Sequence, residues 1–318
     1  MPPRRRIGKR LLKSLLPIVL VIGLAVVGSL SYIVYCVSHP AKRPYVVTPD
    51  SFSQISGRAL KVTDENWTTP DGRRNRGWLL KGSEGAPAVV LLHRYGGDRS
   101  WLFNLGVKIN ETTNFTILWP DLRGHGVDPP VKWTSLGAHE ADDVLAALAF
   151  LRTLKSEHQK KLVGDVFGVY GVELGAYTAM KATYHDQQIK VLVLDSVPAS
   201  ATELLNHAIS SCVGLENGIV QSFSRAAVNI YLFGSFDNRP TCDVANGVSN
   251  ARVLLLSGAD AGPWKESTAS LQKCFPVPNN VDTRTDLPLS GFSLPSATGE
   301  QGEAYDRIVI DFFDRNLR

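Results

Sequence analysis

Across its 318 residues the chain is 44% apolar and carries a formal charge of +4, enough for one full-sized core or one core with a small cap. The charge is local: six cations and no acid stand in the first thirteen residues, and the remainder holds 28 Lys and Arg against 30 Asp and Glu, a net of −2. That balance excludes a nucleic-acid surface and reads the basic block as a membrane signal.

The block leads into Leu15–Val37, which has no charged residue and matches the ~20 apolar residues that a spanning helix needs. A cleaved signal would have a shorter apolar region and a small-residue cleavage site; the residues around Tyr35-Cys36-Val37-Ser38 make a poor one. The expectation is an uncleaved anchor, with a cleaved signal as the alternative. Six cations before the span against two after it, Lys42 and Arg43, put residues 1–14 in the cytoplasm as a basic tail and the main domain outside it. Cys36 falls inside the span, leaving Cys212, Cys242 and Cys274. Those three allow one disulfide of unassigned pairing, or remain ordinary buried thiols. Sequons at Asn66, Asn110 and Asn114 matter only in a glycosylating host.

Residues 38–57 contain Pro40, Pro44 and Pro49 and read as a linker. Within 58–318, Arg58–Thr63 and Gly77–Lys81 are expected as strands joined by a turn at Pro70-Asp71-Gly72. Pro87–Leu92 is a continuous apolar run, as a strand buried on both faces should be. A helix to Lys108 and a strand Phe115–Trp119 follow. Val144, Leu145, Leu148 and Leu151 give Ala138–Leu154 a helical spacing. The run Val166–Val172, the turn around Glu173 and a helix from Leu174 to Tyr184 come next, then a strand Lys190–Leu194. Such alternation implies right-handed crossovers and a mostly parallel sheet. Residues 198–250 break the pattern and read as a small cap insertion over the sheet edge. Arg252–Leu256 returns to strand, Arg284–Leu289 is a weaker strand, and Gly302–Asn316 closes the chain as an amphipathic helix. No internal repeat is visible.

Four motifs stand at the ends of these strands: Leu91-Leu92-His93-Arg94-Tyr95-Gly96-Gly97, Asp121-Leu122-Arg123-Gly124-His125-Gly126, Gly171-Val172-Glu173-Leu174-Gly175 and Leu256-Ser257-Gly258-Ala259-Asp260. In this order they resemble the α/β-hydrolase fold family, in its esterase, lipase and S33-peptidase-like branch. The resemblance implies an α/β fold with a mostly parallel central sheet, flanking helices and a cap, here preceded by one transmembrane helix. It also implies a G-x-S-x-G nucleophile elbow at Gly171–Gly175, where Glu173 takes the serine's place. The family's acid falls on Asp260, with Asp195 as an alternative acid position. Its oxyanion loop falls on His93, Arg94 and Tyr95, with Arg94 in place of the usual glycine, and Leu174 follows the nucleophile position. The family's histidine is expected near Ser290–Leu294, yet no histidine occurs beyond His207.

Acyl transfer needs a nucleophile, a base and oxyanion donors. Attack by Glu173 would give an anhydride with no histidine to resolve it. The expectation is therefore a pseudoenzyme that binds a ligand or partner, with a small apolar or acyl ligand in the cleft under the cap, membrane contact through the N-terminal helix, and no assignable protein partner. The alternative is an active esterase- or peptidase-like hydrolase using Glu173 and Asp260. No metal-site motif is present, and neither metal nor cofactor is expected. An anion at a helix N-terminus is favoured, so the Glu173 carboxylate is expected in the vacated oxyanion site, with Arg94 as counter-ion. His93 and His125 read as packing residues, and His207 as one that could reach the cleft from the cap.

Overall fold

A computed structural model describes residues 4–57, 59–297 and 299–318. Eight strands form one sheet in the order β1-β2-β4-β3-β5-β6-β7-β8: β1 Val62–Thr68, β2 Arg74–Leu80, β3 Ala86–Leu92, β4 Thr116–Pro120, β5 Val163–Val172, β6 Ile189–Asp195, β7 Arg252–Gly258 and β8 Val281–Leu287. The hairpin β1–β2 and its junction with β4 are antiparallel, and every other pairing is parallel. The apolar runs seen in the sequence are the central strands, buried on both faces as helices on either side require.

One core layer packs α3 (Phe103–Thr113) and α10 (Gly299–Leu317) on the sheet. The other packs α4 (Glu140–Thr153), α5 (Leu174–His185) and the cap helices α6 (Ala201–Val213), α7 (Gly218–Tyr231) and α8 (Thr241–Ala245). A short α9 (Trp264–Leu271) follows β7. The sheet's strand ends thus carry the motifs on one edge, beneath the cap.

Three expectations need correction. The first strand is Val62–Thr68 rather than Arg58–Thr63, with Arg58 itself outside the described residues, because the pairing with β2 runs from Val62 opposite Leu80 to Thr68 opposite Arg74. The last strand is Val281–Leu287, displaced toward the N-terminus from Arg284–Leu289. The linker contains a helix, α2 (Pro49–Ser56), with Pro at its start and a reciprocal cap between Thr48 and Ser51.

The larger correction concerns α1, Arg4–Ser38. Its stretch Ser14–Ser38 is long and apolar enough to cross a membrane, with mean hydropathy 2.4, and Leu15 to Val27 are largely exposed. Its last turns belong to the folded domain instead. Ile33, Val34 and Val37 are buried, α1 packs on α6 and α7, and Cys36 is disulfide-bonded to Cys212 of α6. Two of the helix's terminal carbonyls find donors: the Tyr95 hydroxyl donates to Val37 O (2.8 Å) and the Thr134 N–H to Ser38 O (2.9 Å), as a buried helix end requires. The second pair is Cys242–Cys274, so all four cysteines are bridged rather than one pair at most. An apolar N-terminal helix with two disulfides points to the secretory pathway.

Candidate functional site

Glu173 stands between β5 and α5 at φ 52°, ψ −105°. This left-handed backbone costs a non-glycine residue ~1–3 kcal/mol and persists only where surroundings impose it. Here the glycines on either side impose it. A Cβ on Gly171 would sit 2.4 Å from the Gly175 backbone, and one on Gly175 would sit 2.3 Å from Leu92 O. The strand, the turn and the oxyanion loop therefore meet backbone to backbone, and the side chain at 173 is thrown toward that loop.

The Glu173 side chain is 2% exposed, and its Oε2 accepts the Tyr95 N–H at 2.9 Å. The Leu174 N–H and the Trp264 indole add weaker polar support to the ionised form. Tyr95 lies on the loop that the resemblance makes the oxyanion loop, and Leu174 follows the nucleophile position, where such a fold offers a second backbone donor. Burial nevertheless dominates and raises the carboxyl pKa from 4.5 to about 7, opposed by the charge of Arg94 and these hydrogen bonds.

Arg94 does not form the expected ion pair. Its guanidinium stacks over Trp101 (4.2 Å to the ring centroid) and Phe292 (5.4 Å) and donates to Tyr95 O at 3.2 Å. Flat aromatic faces hold a desolvated guanidinium well, so Arg94 acts on Glu173 through space and not by contact. His93 is a clasp: its Nδ1 bonds Arg94 O (2.8 Å) and its Nε2 accepts the Leu122 N–H (3.0 Å), joining the oxyanion loop to the next motif. Burial lowers its pKa to about 4, which keeps Nε2 an acceptor near neutrality. The Asp121 motif buttresses that clasp. Asp121 accepts the Arg99 N–H (3.0 Å) and the hydroxyl of Tyr45 from the linker (2.9 Å), and Arg123 makes a two-pronged pair with Asp143 (2.7 and 2.5 Å).

Asp260 lies exposed beyond β7. It accepts the Ser290 N–H at 2.6 Å and the Ser293 hydroxyl. Ser290 and Ser293 belong to the loop where the resemblance expects the histidine, and the partners they offer Asp260 are a backbone N–H and a hydroxyl. Asp195 is fully buried, and its oxygens take the hydroxyls of Ser196 (2.6 Å) and Tyr305 (2.5 Å) and the Gly291 N–H (3.0 Å). Tyr305 in turn bonds Tyr170 at 2.7 Å. Burial raises the Asp195 pKa to about 7. With every oxygen engaged, it serves as a core tie between β6, α10 and the loop after β8.

A cavity of about 310 Å³ opens beside Glu173, lined by Arg94, Tyr95, His207 and Cys212, and also by Cys36, Pro40 and Arg43. The end of α1 and the first linker residues are thus walls of the site. Sequence reading missed them, because nothing in a proline-containing linker marks which residues fold back. His207 reaches the cavity from α6, but its ring packs on Trp264 (5.7 Å between centroids) and no hydrogen bond joins it to Glu173. Glu173, His93 and Asp260 do not gather as ligands, and no group of three or more His, Cys, Asp or Glu side chains suited to a metal occurs among the described residues.

Several solved structures similar to the chain are hydrolases. An esterase from Pyrococcus furiosus superposes with TM-score 0.64 at 18% identity over 88% of this chain and 98% of its own. The α/β hydrolase GrgF from Penicillium superposes at 0.57 with 17% identity over 81% and 99%. A dienelactone hydrolase from Anabaena variabilis superposes at 0.52 with 12% identity over 81% and 99%. The protein has the α/β-hydrolase fold. A curated relative, the thiohydrolase aneE of Aspergillus aculeatus, is 21% identical over 132 residues, and the match spans 41% of this chain and only 40% of that one. No protein-family model matches the sequence.

Proposed function

We propose that the protein is a membrane-anchored α/β-hydrolase-fold pseudoenzyme whose oxyanion donors are held by its own Glu173, leaving a cleft that binds a small apolar or acyl ligand. The observation that carries this is the 2.9 Å hydrogen bond from the Tyr95 N–H to the Glu173 carboxylate. A donor committed to a buried side chain is not free for a developing oxyanion, and no imidazole stands beside Asp260 to deliver or take a proton. The anchor reading draws support from the end of α1: a signal cleaved before Ser38 would remove Cys36, the buried Ile33, Val34 and Val37, and part of the cavity wall.

A second reading has its own observation. A buried carboxyl raised to about 7 and lining a cavity is the profile of a general base, and an esterase and other hydrolases are among the similar structures. In that reading Glu173 would draw a proton from water attacking a bound ester or thioester.

One experiment separates the two. The purified full chain is offered short p-nitrophenyl esters, an acyl thioester and a serine-directed phosphonate. The pseudoenzyme predicts neither turnover nor labelling, and Glu173→Ser alone should gain neither. Turnover lost in Glu173→Gln would reject it in favour of the base.

A further inference from the structure

The cap helix α7 is amphipathic in an unexpected sense. Its inner side, Ser224, Val228 and then Leu232, is buried. Its outer side carries Ile219, Phe223, Ala226 and Ile230, spaced four, three and four residues apart, which is one helical stripe, and Phe233 extends the exposed apolar surface in the turn beyond the helix, at φ 52°. This surface faces outward: Phe223 is 62%, Ile230 76% and Phe233 98% exposed. No charged residue falls on it. A stripe of large apolar side chains left bare marks an interaction surface, and the neighbouring helix identifies what covers it.

That neighbour is α1. Ala227, Ile230 and Tyr231 of α7 share an apolar gap of about 560 Å³ with Val27, Leu30 and Val34 of α1. A hydrocarbon core ~30 Å thick, crossed at 1.5 Å per residue from Leu15, extends to about residue 34. Val27 and Leu30 then lie in the last ~10 Å of it. The end of α7 stands at that level, and interfacial helices bury their apolar face to a similar depth, ~5–10 Å. Exposed Tyr32 and Tyr35 on α1 stand just above Leu30, and exposed Lys42 and Arg43 follow the helix, the order in which aromatic and cationic residues line a membrane boundary.

We propose that α7 lies in the leaflet through which α1 leaves the bilayer, with Ile219, Phe223, Ile230 and Phe233 in lipid. This rests on α1 being an uncleaved anchor. The Cys36–Cys212 bridge then fixes the cap to the anchor at the membrane surface, and the cavity beside Glu173, walled by the same two cysteines, is held close to the lipid.

The test uses the full chain in phosphatidylcholine vesicles, with single cysteines added for an environment-sensitive fluorophore, since all four native cysteines are bridged. Phe223→Cys and Ile230→Cys probe α7 independently, Val21→Cys probes the anchor, and exposed Lys160→Cys is the aqueous reference. The expected result is blue-shifted emission at 21, 223 and 230, quenched by chain-labelled lipid and spared by iodide, with the reverse at 160. Lipid quenching at 21 but iodide quenching at 223 and 230 would overturn the proposal while leaving the anchor standing. Iodide quenching at 21 would overturn both. Shielding of 223 and 230 from both quenchers would assign the stripe to a second copy of the chain and overturn the proposal.

Discussion

The elbow after β5 and the loop after β7 that the resemblance makes the acid loop stand at the same end of the sheet's strands, yet the first buries its charged side chain and the second exposes it. At the elbow the backbone is held by contacts between Gly171, Gly175 and Leu92, and the Glu173 side chain is buried against Tyr95. At the loop after β7 Asp260 is exposed, and its partners are the Ser290 N–H and the Ser293 hydroxyl. The difference teaches that in this chain the turn's shape is set by the close backbone packing of Gly171 and Gly175 and not by the side chain at 173. Asp260 and Ser293 carry little structure, and solvent screens what they exchange.

The largest effect should come from Gly175→Ala. Its new Cβ would meet Leu92 O at 2.3 Å and Leu92 C at 2.7 Å, so overpacking against rigid backbone should cost more than ~3 kcal/mol, read as loss of the cooperative urea transition. If the variant folds normally, the elbow is not held as described.

Glu173→Gln comes next and depends on pH. Because the folded pKa, about 7, lies above the ordinary 4.5, the protonated carboxyl suits the fold. Its contribution is fully present below pH 4.5 and lost as pH climbs to about 7. The span between those values corresponds to roughly 3 kcal/mol. Relative to wild type, the amide variant should be unchanged below pH 4.5 and more stable by up to that amount above pH 7, measured by urea unfolding in detergent. Asp195, raised in the same direction, should leave a residual slope of the same sign.

Arg94→Met sharpens the same point. Removing the charge that lowers the Glu173 pKa should move the upper end of the stability loss above pH 7, and losing the stack on Trp101 should cost ~0.5–2 kcal/mol. Ser293→Ala should have the smallest effect, under ~1 kcal/mol by the same urea measurement, since Asp260 is already exposed. A larger loss would make the acid loop a structural element and erase the contrast with the elbow.

Much of the sheet was legible in the sequence, because strands buried on both faces carry continuous apolar runs, as residues 88–92, 117–119, 191–194 and 253–256 do. The half-exposed edge strands β1 and β8 lack that signature, and their bounds slipped. At the elbow the spacing of Gly171 and Gly175 pointed to the turn, and the charge of Glu173 pointed to the donors. Arg94 misled because opposite charges on facing loops suggest contact, whereas Trp101 and Phe292, remote in sequence, decide where the guanidinium rests. The role of Cys36 was hidden because an apolar helix reads the same in lipid and against the cap. The signal for α2 was present in Thr48, Pro49 and Ser51, but serine in the reciprocal position of the cap is weaker than the usual Glu or Gln.

The most direct measurement is an experimental structure of the full chain at pH 8, where the Glu173 carboxyl should be ionised. The account predicts its oxygen on the Tyr95 N–H at hydrogen-bond distance, with no solvent between them. A carboxylate swung into the cavity, with water or a ligand oxygen on the Tyr95 and Leu174 N–H groups, would contradict it.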